Sequence, residues 1–147
     1  MTAKSDFTPE EWKLVQEGPA TAGMILISAD SGGTFRETFA LARAYTDARK
    51  KHGESELLDE LVSGKPQFDR HRYKTTEELH DEGLKQIGAA VALLRSKATP
   101  DEVAAYNEFV LEAASNVASA HKEGGQAVSE KEQAALDALR AQLGGAA

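Results

Sequence analysis

The sequence predicts an all-α protein, a bundle of about six helices in a single domain, and three observations carry that prediction. Five Ser/Thr-x-x-Glu capping boxes stand at the heads of apolar runs: Thr8/Glu11, Thr34/Glu37, Thr75/Glu78, Thr99/Glu102 and Ser129/Glu132. The apolar residues after them recur every three to four positions, the helical period, and do not alternate as in a strand. Glycines, singly or paired, close most of the segments. With 147 residues the chain can bury one substantial core unaided.

A capping box works because a helix start leaves four backbone N–H groups without partners, and the two side chains satisfy two of them. At Thr8 and Thr99 the next residue is proline, at the position where its missing N–H costs nothing. Phe7 with Trp12, and Ala98 with Val103, fall where a hydrophobic staple belongs.

From these signals the first helix runs from Pro9 to about Glu17. Gly18-Pro19 then breaks or kinks it, since proline lacks a donor and crowds the preceding turn. Residues 20–29 resume as a helix apolar nearly all round, suited to the middle of a bundle; a strand over Met24–Ser28 is the competing reading. The next helix, 35–52, puts Phe35, Phe39, Ala42 and Tyr45 on one face, and its basic last turn complements the helix dipole before Gly53. A short helix at 55–62 precedes the one stretch without helical pattern, residues 65–74. The long helix at 76–97 carries a stripe of Leu79, Leu84, Ile87, Val91 and Leu94, with Gly83, Gly88, Ala89 and Ala90 permitting close approach of a neighbour. Residues 100–122 place Val103, Tyr106, Val110, Ala114 and Val117 at heptad-like spacing, and 130–143 show Leu136, Leu139 and Leu143. Residues 1–6 and 144–147 are expected to fray.

Residues 8–29 and 99–120 share Thr, Pro, Glu, Ser and Ala positions at a constant offset, and each segment leads to a Gly-Gly turn and another capped helix. A two-fold pseudo-repeat of helix, glycine turn and helix is one way to read this; shared capping grammar is the other.

The formal charge is −7, and it is uneven: residues 75–147 hold twelve acids against six bases. Such a surface repels phosphate backbones, so no nucleic-acid partner is expected. There is no cysteine, which removes disulfides, thiolate metal sites and thiol nucleophiles together. The longest apolar run falls far below the roughly 18 residues of a membrane span, and no signal-peptide pattern opens the chain. A soluble, cytoplasmic protein is expected.

No nucleophile elbow, phosphate loop or dinucleotide fingerprint is present. What remains is acidic loops and scattered histidines. Asp30 opens the turn Asp30-Ser31-Gly32-Gly33-Thr34, with Glu37 at the head of the next helix; a second loop, His121 to Gly125, leads to Ser129-Glu130-Lys131-Glu132. In this pattern the chain resembles the helical TerB-like proteins of tellurite-resistance type, whose signature is an Asp-Gly turn followed by Glu at a helix start. The first loop has Asp-Ser-Gly in place of Asp-Gly, and the second has His121 in place of Asp. The run from TPEEW through AGM to KEGG and VSEKEQAAL is also similar to a group of small bacterial all-helical proteins with no assigned activity. The TerB-like resemblance implies a stress-response protein with acidic, metal-binding loops, and matches it residue by residue at Asp30 and Glu37.

Two carboxylates and loop carbonyls fall short of the six to eight oxygens calcium takes, and solvation or capping of helix ends accounts for both acids. Glu77 and His80 form one Glu-x-x-His, the unit that carboxylate-bridged di-iron bundles use twice. His80 is thus a further candidate ligand for a divalent metal, although its place at the edge of the apolar stripe equally suits a surface histidine. The basic, aromatic loop 65–74 suits either an acidic partner or plain solvation.

Three functions remain open. The first is a non-catalytic helical interaction module acting through protein contacts or self-association as a homo-oligomer. The second is a metal-binding bundle using Asp30, Glu37 and His80. The third is a small-molecule or enzymatic pocket lined by Trp12, Met24 and Tyr45.

Overall fold

In the computed structural model the residues described are 3–29, 35–50, 56–63, 73–123 and 130–144; at 29, 35–39 and 120–123 only the backbone is described. They form helices α1 (Pro9–Ala29), α2 (Phe35–Lys50), α3 (Glu56–Val62), α4 (Thr76–Lys97), α5 (Pro100–Glu123) and α6 (Glu130–Gly144), after a 3-10 turn at Lys4–Asp6. Among the described residues there is no strand, so Met24–Ser28 is helical. The chain is an all-α helical bundle. α1 and α5 are the central pair, with α4 against α1, α2 against α5, α6 bridging α4 and α1, and α3 beside α2 and α5. The helices opened by the Thr8/Glu11 and Thr99/Glu102 boxes are therefore the two innermost.

The capping signals work as the residues dictate. The boxes at Thr8/Glu11 and Thr99/Glu102 close reciprocally, each hydroxyl accepting from the Glu N–H and each carboxylate from the Thr N–H, at 2.8–3.2 Å. At Thr75 the hydroxyl accepts from the Glu78 N–H at 3.0 Å, while the Glu78 carboxylate reaches one residue further back to the Lys74 N–H. The boxes at Thr34 and Ser129 lie outside the described residues. Phe7 and Trp12 form the staple, ring centroids 5.7 Å apart and both buried.

The break at Gly18-Pro19 does not occur: α1 runs through Pro19 without interruption. Proline at 19 leaves the carbonyl of Val15, four residues earlier, without its helical donor. The Tyr106 hydroxyl, on α5, donates to that carbonyl at 2.8 Å in a fully buried contact. The neighbouring glycine makes room for it, since a Cβ at residue 18 would overlap the Tyr106 hydroxyl. The Gly-Pro pair is a socket for one tyrosine.

Beyond the socket, residues 20, 22, 25, 26 and 27 are buried, as the all-round apolar pattern requires. Gly83 on α4 lets Ile25 and Thr21 approach its backbone, where a Cβ would stand 3.1 Å from each side chain. The stripes on α4, α5 and α6 are buried as read. Two alanines correct the sequence reading. Ala42 is exposed, and the described inward face of α2 is Leu41, Ala44, Tyr45 and Ala48; Ala89 on α4 also faces solvent. Alanine tolerates either environment, so periodicity anchored on it drifts by a position.

Helix C-termini are joined by arginines from neighbouring helices. Arg49 Nε, in the last turn of α2, donates to the Val62 carbonyl ending α3 at 2.6 Å. Arg95, in the last turn of α4, does the same to the Leu143 carbonyl near the end of α6 at 3.2 Å. Lys97 straps the N-terminal segment down, with its ammonium 3.0 Å from the Asp6 carbonyl and from Glu11 Oε1 and 5.5 Å from the Phe7 ring centre.

Tyr106→Phe removes the donor to a buried carbonyl and is expected to cost about 1–3 kcal/mol by chemical denaturation. Gly18→Ala is expected to destabilise by a similar or larger amount through overpacking. In the Tyr106→Phe background that penalty shrinks, because the overlapping hydroxyl is gone; additive losses would refute the socket.

The Thr8 backbone N–H, together with Lys97, holds the Glu11 carboxyl below its ordinary range. A depressed carboxyl stabilises the fold above its unfolded value of about 4.3 and loses that contribution as pH falls through the lower folded value. Thermal melts should therefore show Glu11→Gln less stable than the parent at neutral pH, with the gap closing below about pH 4.

Candidate functional site

A hollow with a largely polar lining lies where α1 ends and α4 and α6 begin, with a volume of about 540 Å³. Ile25 and Ser28 line it from the last turns of α1; Thr76, Glu77, His80 and Asp81 enter from the first turns of α4; Lys131 enters from α6. Glu77 and His80 share this wall because residues three apart on a helix lie on one face.

Local bonds occupy several of these groups. The Ser28 hydroxyl donates back to the Met24 carbonyl at 2.8 Å. The Thr76 hydroxyl lies 3.4 Å from Glu77 Oε2, and His80 Nδ1 lies 3.4 Å from Asp81 Oδ1. The imidazole is near half exposure, its side chain 43% accessible, in keeping with the edge position read from the stripe. The arrangement presents two carboxylates, an imidazole and an ammonium on an open wall, a surface able to engage charge of either sign.

Of the candidate metal ligands, Asp30 lies outside the described residues, two positions after Ser28 in sequence. Glu37 lies in α2 with only its backbone described. Among the described residues no three His, Asp or Glu side chains are gathered so as to hold a metal ion.

Trp12, Met24 and Tyr45 line no common pocket. Trp12 and Met24 are twelve residues apart on α1, roughly 18 Å along its axis. Trp12 packs on Phe7, while Tyr45 is sealed against Phe109 with ring centroids 5.1 Å apart. Burial pushes the phenols of Tyr45 and Tyr106 well above the ordinary tyrosine range, which keeps both neutral. Sequence reasoning missed Thr76, Asp81 and Lys131 as neighbours of His80. Thr76 and Asp81 follow from helical spacing once Glu77 and His80 are placed, but Lys131 depends on how α6 meets α4, which no local signal carries.

No family model, curated protein or solved structure matches the chain. No helix among the described residues is long and apolar enough to cross a membrane.

His80→Ala is expected to change stability by no more than about 0.5 kcal/mol, because the ring is half solvated and bonded only to its sequence neighbour. Urea denaturation of the variant measures this, and a loss several times larger would show the ring to be structural.

Proposed function

We propose that the chain is a non-catalytic helical interaction module acting through protein contacts or self-association. The observation supporting this reading is where the polar side chains of the helix junctions spend their hydrogen bonds. Tyr106, Arg49, Arg95 and Asn107 all donate to backbone carbonyls and join one helix to another. Side chains so engaged hold a surface in shape; those left outward, such as Glu77, Asp81 and Lys131, are charged groups suited to a partner's surface. A cytoplasmic protein whose partners are proteins, not nucleic acid, fits the acidic surface, and the TerB-like resemblance extends the proposal to a stress-response setting.

Sedimentation velocity across a wide concentration range tests self-association. The expected result is a mass that rises with concentration and falls back when Glu77 and Asp81 are both changed to Lys, with the melting temperature preserved. For a hetero-partner, the same charge reversal should abolish co-purification of a defined protein from the native host. A monomer at every concentration whose co-purifying set is untouched by the reversal would overturn the proposal.

A second reading, a metal-binding bundle, is favoured by one observation: Glu77 and His80 line the same hollow, and His80 Nδ1 lies 3.4 Å from Asp81 Oδ1, a carboxylate of the kind that orients ligating histidines. Elemental analysis of protein purified without chelator or affinity histidines decides it. Near-stoichiometric divalent metal, lost in Asp30→Ala, Glu37→Ala or His80→Ala, supports it, and metal-free protein after dialysis against each ion removes it.

A further inference from the structure

Every pair among α1, α4, α5 and α6 is packed together, so these four helices close on one another as a unit. α2 and α3 lie outside it. α2 rests on α5 and meets α1 over a narrow contact, α3 rests on α2 and α5, and neither has more than a marginal contact with α4 or α6. The two are tied to each other, since Arg49 in the last turn of α2 donates to the Val62 carbonyl that ends α3.

The described seam under α2 is thin. Between residues 40 and 50 the buried side chains are Leu41, Ala44, Tyr45 and Ala48, and the two alanines bury little apolar area. The largest member, Tyr45, is 1% exposed, its ring 5.1 Å from that of Phe109 on α5 and at 73° to it. Its hydroxyl is closed off from water and has no hydrogen-bond partner among the described residues. Tyr106, the other fully buried tyrosine, differs in this respect, because its hydroxyl is answered by the Val15 carbonyl. Docking α2 therefore strips the Tyr45 hydroxyl of its bonds to water without replacing them, and that penalty vanishes when α2 lifts. Burial of the ring favours the docked state, and burial of its hydroxyl opposes it.

We propose that α2 and α3 form a flap that undocks from α5 as one piece while α1, α4, α5 and α6 stay folded, and that the unanswered Tyr45 hydroxyl sets how often it opens. Opening returns the hydroxyl to water and bares Phe109. The Tyr106 bond to Val15 joins α1 to α5 within the four-helix unit and is untouched. Openings below global unfolding follow contiguous units with few attachments, and α2 with α3 is such a unit. The flap lies on other residues than the surface of Glu77, Asp81 and Lys131 and does not rest on the interaction reading.

Native-state hydrogen exchange of the full chain, read amide by amide by NMR in low urea, tests this. The α2 and α3 amides are expected to share one opening constant, at least roughly tenfold larger than that of the α1, α4, α5 and α6 amides and less dependent on urea. Tyr45→Phe keeps the ring, removes the hydroxyl and should lower the shared constant roughly tenfold. Gly23→Ala acts in the opposite sense: a Cβ there would stand 2.7 Å from Leu41 Cδ1, pressing α2 away from α1 and raising the constant. Arg49→Met should let α3 exchange faster than α2. Exchange of α2 and α3 only through global unfolding, separate opening of the two in the parent, or a Tyr45→Phe variant that opens as often as the parent would each overturn the proposal. Should Tyr45→Phe fail to fold, Gly23→Ala decides, and an unchanged constant there overturns it equally.

Discussion

The bond from the Tyr106 hydroxyl to the Val15 carbonyl is the constraint around which the bundle is arranged. A proline in the middle of a central helix removes a donor where no water can replace it, and such a group must be satisfied or the helix gives way. Satisfying it from α5 fixes where α5 crosses α1, and the glycine beside the proline fixes how near. Once those two central helices are placed, α4 and α2 have only their outer flanks left to cover. A local defect in one helix thereby specifies a tertiary register.

The same economy governs the helix ends. Carbonyls at a C-terminus lack intrahelical donors, and glycine caps or water usually answer them. Here Arg49 and Arg95 reach across from neighbouring helices, Asn107 adds a second donor at Leu143, and the last turns of α2 and α4 each become the cap of another helix. In a chain without disulfides, these cross-connections tie the short peripheral helices α3 and α6 to the core.

Much of this was legible in the sequence. The capping boxes at Thr8, Thr75 and Thr99 marked helix starts because capping is local chemistry, and the leucine and valine stripes marked buried faces because large apolar groups have one preferred environment. Of the break or kink that Gly18-Pro19 suggests, the break is absent because the donor that rescues Val15 sits 91 positions away in sequence. Ala42 misled for the converse reason, since its side chain is too small to declare a side. The site residues divide the same way. Glu77 and His80 could be paired from spacing alone, while Lys131 and the hollow it lines depend on which helix ends meet.

The tyrosine bond also bears on how the chain can assemble. A helix spanning residues 9–29 carries an unsealed defect at its centre until residue 106 has been made and brought back to it. A nascent or truncated chain that stops before α5 therefore lacks the element that secures its most apolar helix, and residues 20–29 would stand exposed in that interval. Folding of the first half is contingent on the second, so the two halves should behave as one cooperative unit with a long-range closure step, not as two modules that mature in turn.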